Sequence, residues 1–131
     1  MALRFRKPVR FLGLAAATVL LGSLASSQNA QVQVQIDNNG VVGAAQQQIH
    51  IKNGQTLRWN RAGGASWFVS FTESPCANGT KEFGTMGGRQ QNCRIAVTCA
   101  KAGDPGCKAY HYRSATAPDA AQHDPDVIVD N

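Results

Sequence analysis

The sequence has no apolar run long enough to cross a bilayer. Its longest, residues 11–24, falls about six residues short of the ~20 that a membrane-spanning helix needs. Outside that run no segment repeats its apolar residues every 3.6 positions, which leaves no basis for a helical bundle. No cluster of Lys or Arg occurs beyond residue 10, so there is no electrostatic footprint for nucleic acid or anionic lipid. There is no C-x-x-C-H haem attachment sequence, and no pair of cysteines with zinc-ligand spacing. A G-x-S-x-G nucleophile turn is absent, as is any internal repeat. These absences argue against haem carriers, zinc modules, nucleic-acid binders and the commonest serine hydrolases.

What is present begins with a leader. Arg4, Arg6, Lys7 and Arg10 precede the apolar run, and Ser23-Leu24-Ala25 supplies the small residues a signal peptidase requires. That order of charged, apolar and cleavable parts predicts a secretory signal over residues 1–25, with cleavage after Ala25 or Ser27, and one domain over residues 26–131. The leader contains no cysteine for a lipid anchor and no Arg-Arg pair ahead of the apolar run. Without residues 1–25 the net charge of +5 falls to nine basic against eight acidic residues. The expected location is periplasmic or secreted, with no membrane span after cleavage, and a monomer is expected.

All four cysteines, Cys76, Cys93, Cys99 and Cys107, lie in the exported part. An even count in a small exported domain predicts two disulfides. The stretch CRIAVTC alternates, so as a strand it holds Cys93 and Cys99 ~20 Å apart, beyond disulfide reach. The turn-forming KAGDPG then returns Cys107 towards Cys99. This favours Cys99–Cys107 with Cys76–Cys93; Cys76–Cys99 with Cys93–Cys107 remains open.

Alternation with a period of two dominates the rest. QVQVQI puts Val32, Val34 and Ile36 on one face and three glutamines, Gln31, Gln33 and Gln35, on the other, an unusually uniform polar face. Residues 46–72 read as three strands. Ile49 and Ile51 share a face, as do Leu57 and Trp59, and then Trp67, Val69 and Phe71. Asn53-Gly54 is a strong hairpin signal between the first two, so these three are expected in one antiparallel sheet. Residues 73–91 lose the pattern and read as a loop stapled by Cys76 and Cys93. Residues 108–114 alternate again, with Tyr110 and Tyr112 opposite His111 and Arg113, and DVIVD closes the chain. About seven short strands predict an all-β fold, an antiparallel β-sandwich.

The run IHIKNGQTLRWN, followed by WFVSF, YHY and DPDVIVD, resembles the cupredoxin fold over most of residues 31–131. The resemblance implies a Greek-key sandwich. It also implies where a type 1 copper site would sit, and there the sequence departs from the family. The first His ligand, four residues before the Phe of V-x-F, is replaced by Trp67. The loop expected to carry the Cys, His and Met ligands, residues 113–123, has neither Cys nor Met. The expectation is a cupredoxin-like small exported bacterial protein without type 1 copper and without a cofactor.

Among single residues, His50 and His111 fall on polar strand faces and His123 precedes the Asp124-Pro125 turn. His111 and His123 are weak candidates for a surface metal site. Phe68 lies opposite Trp67, Val69 and Phe71, as a lone exposed aromatic or the centre of a contact surface. The function expected is a binding or interaction module of unknown partner, another exported protein being one candidate, and not an enzyme. The alternatives are a copper-binding or electron-transfer protein with a non-standard site, and a small secreted hydrolase using His111.

Overall fold

A computed structural model describes residues 30–131. The expected signal, residues 1–25, lies outside them. Eight strands follow one another: β1 (Gln31–Ile36), β2 (Gln48–Lys52), β3 (Thr56–Arg61), β4 (Phe68–Phe71), β5 (Glu82–Gly84), β6 (Asn92–Arg94), β7 (Ala109–Ala115) and β8 (Asp126–Asp130). They form a three-stranded sheet in the order β1-β3-β6 and a five-stranded sheet in the order β2-β8-β7-β4-β5. Val34, Ile36, Leu57, Trp59 and Cys93 of the smaller sheet share one core with Ile49, Ile51, Val69, Phe71, Phe83, Tyr112, Val127 and Val129 of the larger. The fold is all-β and sandwich-like, and each alternating strand buries the face its apolar residues select.

The expectation of a purely antiparallel arrangement is corrected. β1 runs parallel to β3 and β2 runs parallel to β8. The tight reversal at Asn53-Gly54 is present, with the Gln55 N–H donating to Lys52 O at 3.1 Å and Gly54 at φ +86°. It does not make a hairpin. It carries the chain from the edge of the five-stranded sheet to the centre of the three-stranded one. Ile49 and Ile51 on one side of the turn, and Leu57 and Trp59 on the other, thereby enter the core from opposite sheets. Residues 73–91 are not wholly loop either, because β5 pairs with β4. A three-residue strand with one apolar side chain, Phe83, is too short to show a period. The strand expected over CRIAVTC stops early. Its ladder covers Asn92–Arg94, and Ile95 forms an isolated bridge to Cys76. The burial of Cys93, Ile95 and Cys99 persists beyond the ladder.

Two disulfides, Cys76–Cys93 and Cys99–Cys107, bring their Cα atoms to 5.2 and 5.0 Å. The first ties the connection after β4 to β6, so it links the two sheets covalently. The second closes the loop between β6 and β7. This is the favoured pairing of the two that spacing left open. By the chain-entropy account each bridge contributes about 2–3 kcal/mol.

Trp59 is the centre of the core. It is 1 % exposed, and four aromatic rings lie around it: Phe83 at 5.2 Å, Tyr112 at 5.8 Å, Trp67 at 5.9 Å and Phe71 at 6.0 Å. Tyr112, packed edge-on to it, has its hydroxyl pushed up to about 12 by burial. The Trp59 indole N–H pulls in the other direction, although no hydrogen bond of ordinary geometry joins the two. Where β7 meets the β1–β2 connection, the Ser114 hydroxyl is fully buried and donates to Gly40 O at 2.7 Å. Gly40 has φ +81°, and a Cβ there would sit 2.8 Å from the Ala115 backbone, so only glycine fits this approach.

Candidate functional site

The outer face of the three-stranded sheet is polar throughout. In β1, burying Val34 and Ile36 forces Gln31, Gln33 and Gln35 outward. In β3, burying Leu57 and Trp59 turns Thr56, Arg58 and Asn60 to the same side. In β6, burying Cys93 turns Asn92 and Arg94 outward. The ladder then aligns them in rows. Gln31, Thr56 and Arg94 form one, Gln33, Arg58 and Asn92 the next, and Gln35 with Asn60 the third.

The resulting face has five amides, one hydroxyl and two guanidinium groups, and no carboxylate. Arg58 and Arg94 sit on adjacent strands, diagonal to one another, about 8 Å apart at the backbone. Both are exposed, and among the described residues neither forms an ion pair or side-chain hydrogen bond. The amides are partly ordered among themselves, with Asn60 Nδ2 donating to Gln33 Oε1 at 3.3 Å. Gln46 reinforces the sheet edge. Its Oε1 accepts from the Gln35 N–H at 2.9 Å and its Nε2 donates to Gln33 O at 2.7 Å, so one side-chain amide takes the place of a neighbouring strand's peptide group. That cover blocks part of the β1 edge against pairing with another strand.

Arg94 also belongs to an open depression of about 530 Å³ where the face ends, lined with it by Asn53, Gly54, Ile95, Ala96, Val97 and Thr98. Asn53 Oδ1 accepts from the Val97 N–H at 3.3 Å, and the Gly54 N–H donates to Ile95 O at 2.8 Å, which fixes this wall. At the opposite end of β1, Asp37 is the nearest acid along the chain. Its carboxylate accepts from the Val41 and Asn39 N–H groups, which hold it below the usual carboxylate range, and so it is already committed within its own turn.

The outer face of the five-stranded sheet carries the histidines. His50 Nδ1 lies 2.7 Å from Asp130, and His111 Nδ1 pairs with Asp126. Both acids are on β8, between the two histidine-bearing strands β2 and β7. His111 is therefore an exposed imidazole oriented by one carboxylate. His123 is elsewhere, bridged through its backbone to Ser114. The two weak metal candidates, His111 and His123, are not brought together in one ligand set, and among the described residues no group of three or more His, Cys, Asp or Glu is placed to hold a metal ion.

The reading of Phe68 as an exposed aromatic or contact surface is corrected. Phe68 does lie on the face opposite Val69, but it is only 5 % exposed. Arg89 covers it, with the guanidinium carbon 5.1 Å from the ring centroid, while Nη1 donates to Met86 O at 3.1 Å and Nε lies 3.6 Å from Glu82. A cation–π lid contributed from twenty-one residues further along the chain hides the ring.

The residues at the positions where the cupredoxin resemblance would place copper ligands do not fit a type 1 ion. Trp67 is buried against Trp59, and an indole offers only an N–H donor. Ser114 commits its hydroxyl to Gly40. All four cysteines are bridged, so no thiolate is at hand.

No protein-family profile matches the chain, and no curated protein matches it. The sequence shows the three glutamines on one face of β1, and alternation about Leu57, Trp59 and Cys93 turns Arg58 and Arg94 outward, but no local pattern joins them into one surface. The missing link is the parallel pairing of β1 with β3, twenty-five residues apart, which leaves no local signal.

Proposed function

We propose that the protein is an exported, disulfide-stapled binding module of cupredoxin-like, Greek-key type, without type 1 copper and without catalytic activity. Its contact surface is the outer face of the three-stranded sheet. The observation that carries this is the registered patch of five amides and two unpaired arginines, with no acid among them, continuous at Arg94 with the depression. A solvated face is normally charged with both signs interspersed. One that keeps its guanidinium groups unpaired is prepared for an external acceptor. Two disulfides support an oxidising compartment, and so a periplasmic or secreted location.

The copper-carrier alternative would draw on His111 and His123, but among the described residues neither belongs to a group of three or more His, Cys, Asp or Glu that could hold the ion, and His50 is separated from His111 by β8, about 10 Å across. The hydrolase alternative has its imidazole–carboxylate pair in His111 and Asp126, yet among the described residues no hydroxyl hydrogen-bonds to that ring. The test is affinity capture from the exported fraction with a C-terminal tag, reading both protein and sugar content. The captured material should be lost with Arg58→Glu. Retention at wild-type yield would contradict this contact surface.

A further inference from the structure

We infer that the outer face of the three-stranded sheet binds an acidic polysaccharide, its carboxylates meeting Arg58 and Arg94 and its hydroxyls meeting the surrounding amides. This rests on that face being the contact surface, and it is narrower than that reading because it names the ligand's chemistry.

The face's composition selects among ligand classes. A protein partner docks through buried aromatic, Met or aliphatic anchors, and the eight outward side chains of these rows include none. A peptide strand adds to a sheet edge rather than lying on a face, and Gln46 already occupies part of the β1 edge. Single-stranded nucleic acid needs aromatic stacking platforms along a basic groove, and an anionic membrane needs four or more clustered cations. Among the described residues this face has neither.

Two guanidinium groups and five amides match a polymer that is rich in hydroxyls and carries spaced carboxylates. Each Gln or Asn amide both donates and accepts, as each sugar hydroxyl does. Each guanidinium can hold a carboxylate through two parallel N–H bonds. The offset of Arg58 from Arg94 places them on successive rows, so carboxylates separated along a chain can meet both at once. The side chains of Gln31, Gln35 and Asn92 have no partner among the described residues, which leaves their donors and acceptors open. At Arg94 the depression, lined by Asn53 and Thr98, gives one end of such a chain a recess continuous with the face.

The experiment is calorimetric titration of the purified exported protein with three oligomers of equal length: galacturonate, glucose and glutamate. The wild type should bind the galacturonate oligomer, bind it more weakly as salt rises, and ignore the glucose oligomer. Arg58→Gln/Arg94→Gln, which keeps the face polar and folded by circular dichroism, should lose about tenfold or more in affinity. If the glutamate oligomer binds as tightly as galacturonate and the double variant loses both, the polysaccharide assignment is overturned while the contact surface stands. If the double variant binds galacturonate like the wild type, the site itself is overturned. No binding of any oligomer by the wild type would overturn the inference, and the capture with Arg58→Glu then decides the contact surface separately.

Discussion

Trp59 offers a prediction whose size follows from its surroundings. The side chain is 1 % exposed, four rings pack on it within 5.2 to 6.0 Å, and its Nε1 has no hydrogen-bond partner among the described residues. Truncation to Ala removes the hub of the core, and a cavity of that kind costs about 3–5 kcal/mol. That is a large share of the ~5–15 kcal/mol that stabilises a typical domain. Trp59→Phe should be much milder. It keeps one ring for the edge-on contacts with Phe71 and Tyr112, and it removes a buried donor that nothing satisfies. The loss is then packing alone, about 1–2 kcal/mol. Urea unfolding followed by far-ultraviolet circular dichroism measures both. With a slope of about 1–1.5 kcal/mol/M for a domain of this size, Trp59→Phe should lower the midpoint by roughly 1 M. If Trp59→Phe destabilises as much as Trp59→Ala, the indole N–H carries the energy and the packing account is wrong.

Other perturbations test separate features. Gly40→Ala forces φ +81° on an L-residue and drives its Cβ to 2.8 Å from the Ala115 backbone; it should cost about 2–4 kcal/mol in the same unfolding assay. Tyr112 titrates near 10 when unfolded and is pushed up to about 12 when folded. Between those values the unfolded state binds fewer protons, so stability should fall as pH rises from 10 to 12, by about 2–3 kcal/mol in all. Tyr112→Phe should flatten that slope, leaving the part due to Tyr110, also raised by burial, and to Lys108, raised by its hydrogen bond to Glu73; a slope unchanged in the variant would contradict the assignment. Non-reducing peptide mapping of the exported protein should recover Cys76 joined to Cys93 and Cys99 joined to Cys107, starting from an N-terminus at Ser26 or Gln28; free thiols would contradict the bridges. Cu(II) added to the oxidised protein should give no intense thiolate-to-copper band.

Much of the inward-facing set was legible because alternation marks a half-buried strand without any knowledge of its neighbour. Ile49 and Ile51, Leu57 and Trp59, Tyr110 and Tyr112 all face the core as their spacing requires. What pairs with what was not legible. Asn53-Gly54 has the chemistry of a hairpin, but whether the following strand lies beside the first or across the core from it depends on partners far along the chain. β2 finds β8 and β3 finds β1, and nothing between Lys52 and Thr56 encodes that choice. The burial of Phe68 is hidden from the sequence for the same reason. Alternation gives the direction of a side chain and not what comes to cover it, and Arg89 arrives from a glycine-rich loop without periodicity. The candidate site was half visible, in the glutamines of β1. The arginines completing it stand on strands whose adjacency is a tertiary fact.

The most direct test of the contact surface is a ¹⁵N-resolved NMR titration of the purified protein with the galacturonate oligomer, following backbone and side-chain amides together. The account predicts that the shifts concentrate on Gln31, Gln33, Gln35, Asn60, Asn92 and the arginine pair Arg58 and Arg94, with His50 and His111 on the far sheet unmoved. Shifts confined to the His50–Asp130 and His111–Asp126 pairs, or to the Phe68–Arg89 lid, would contradict it.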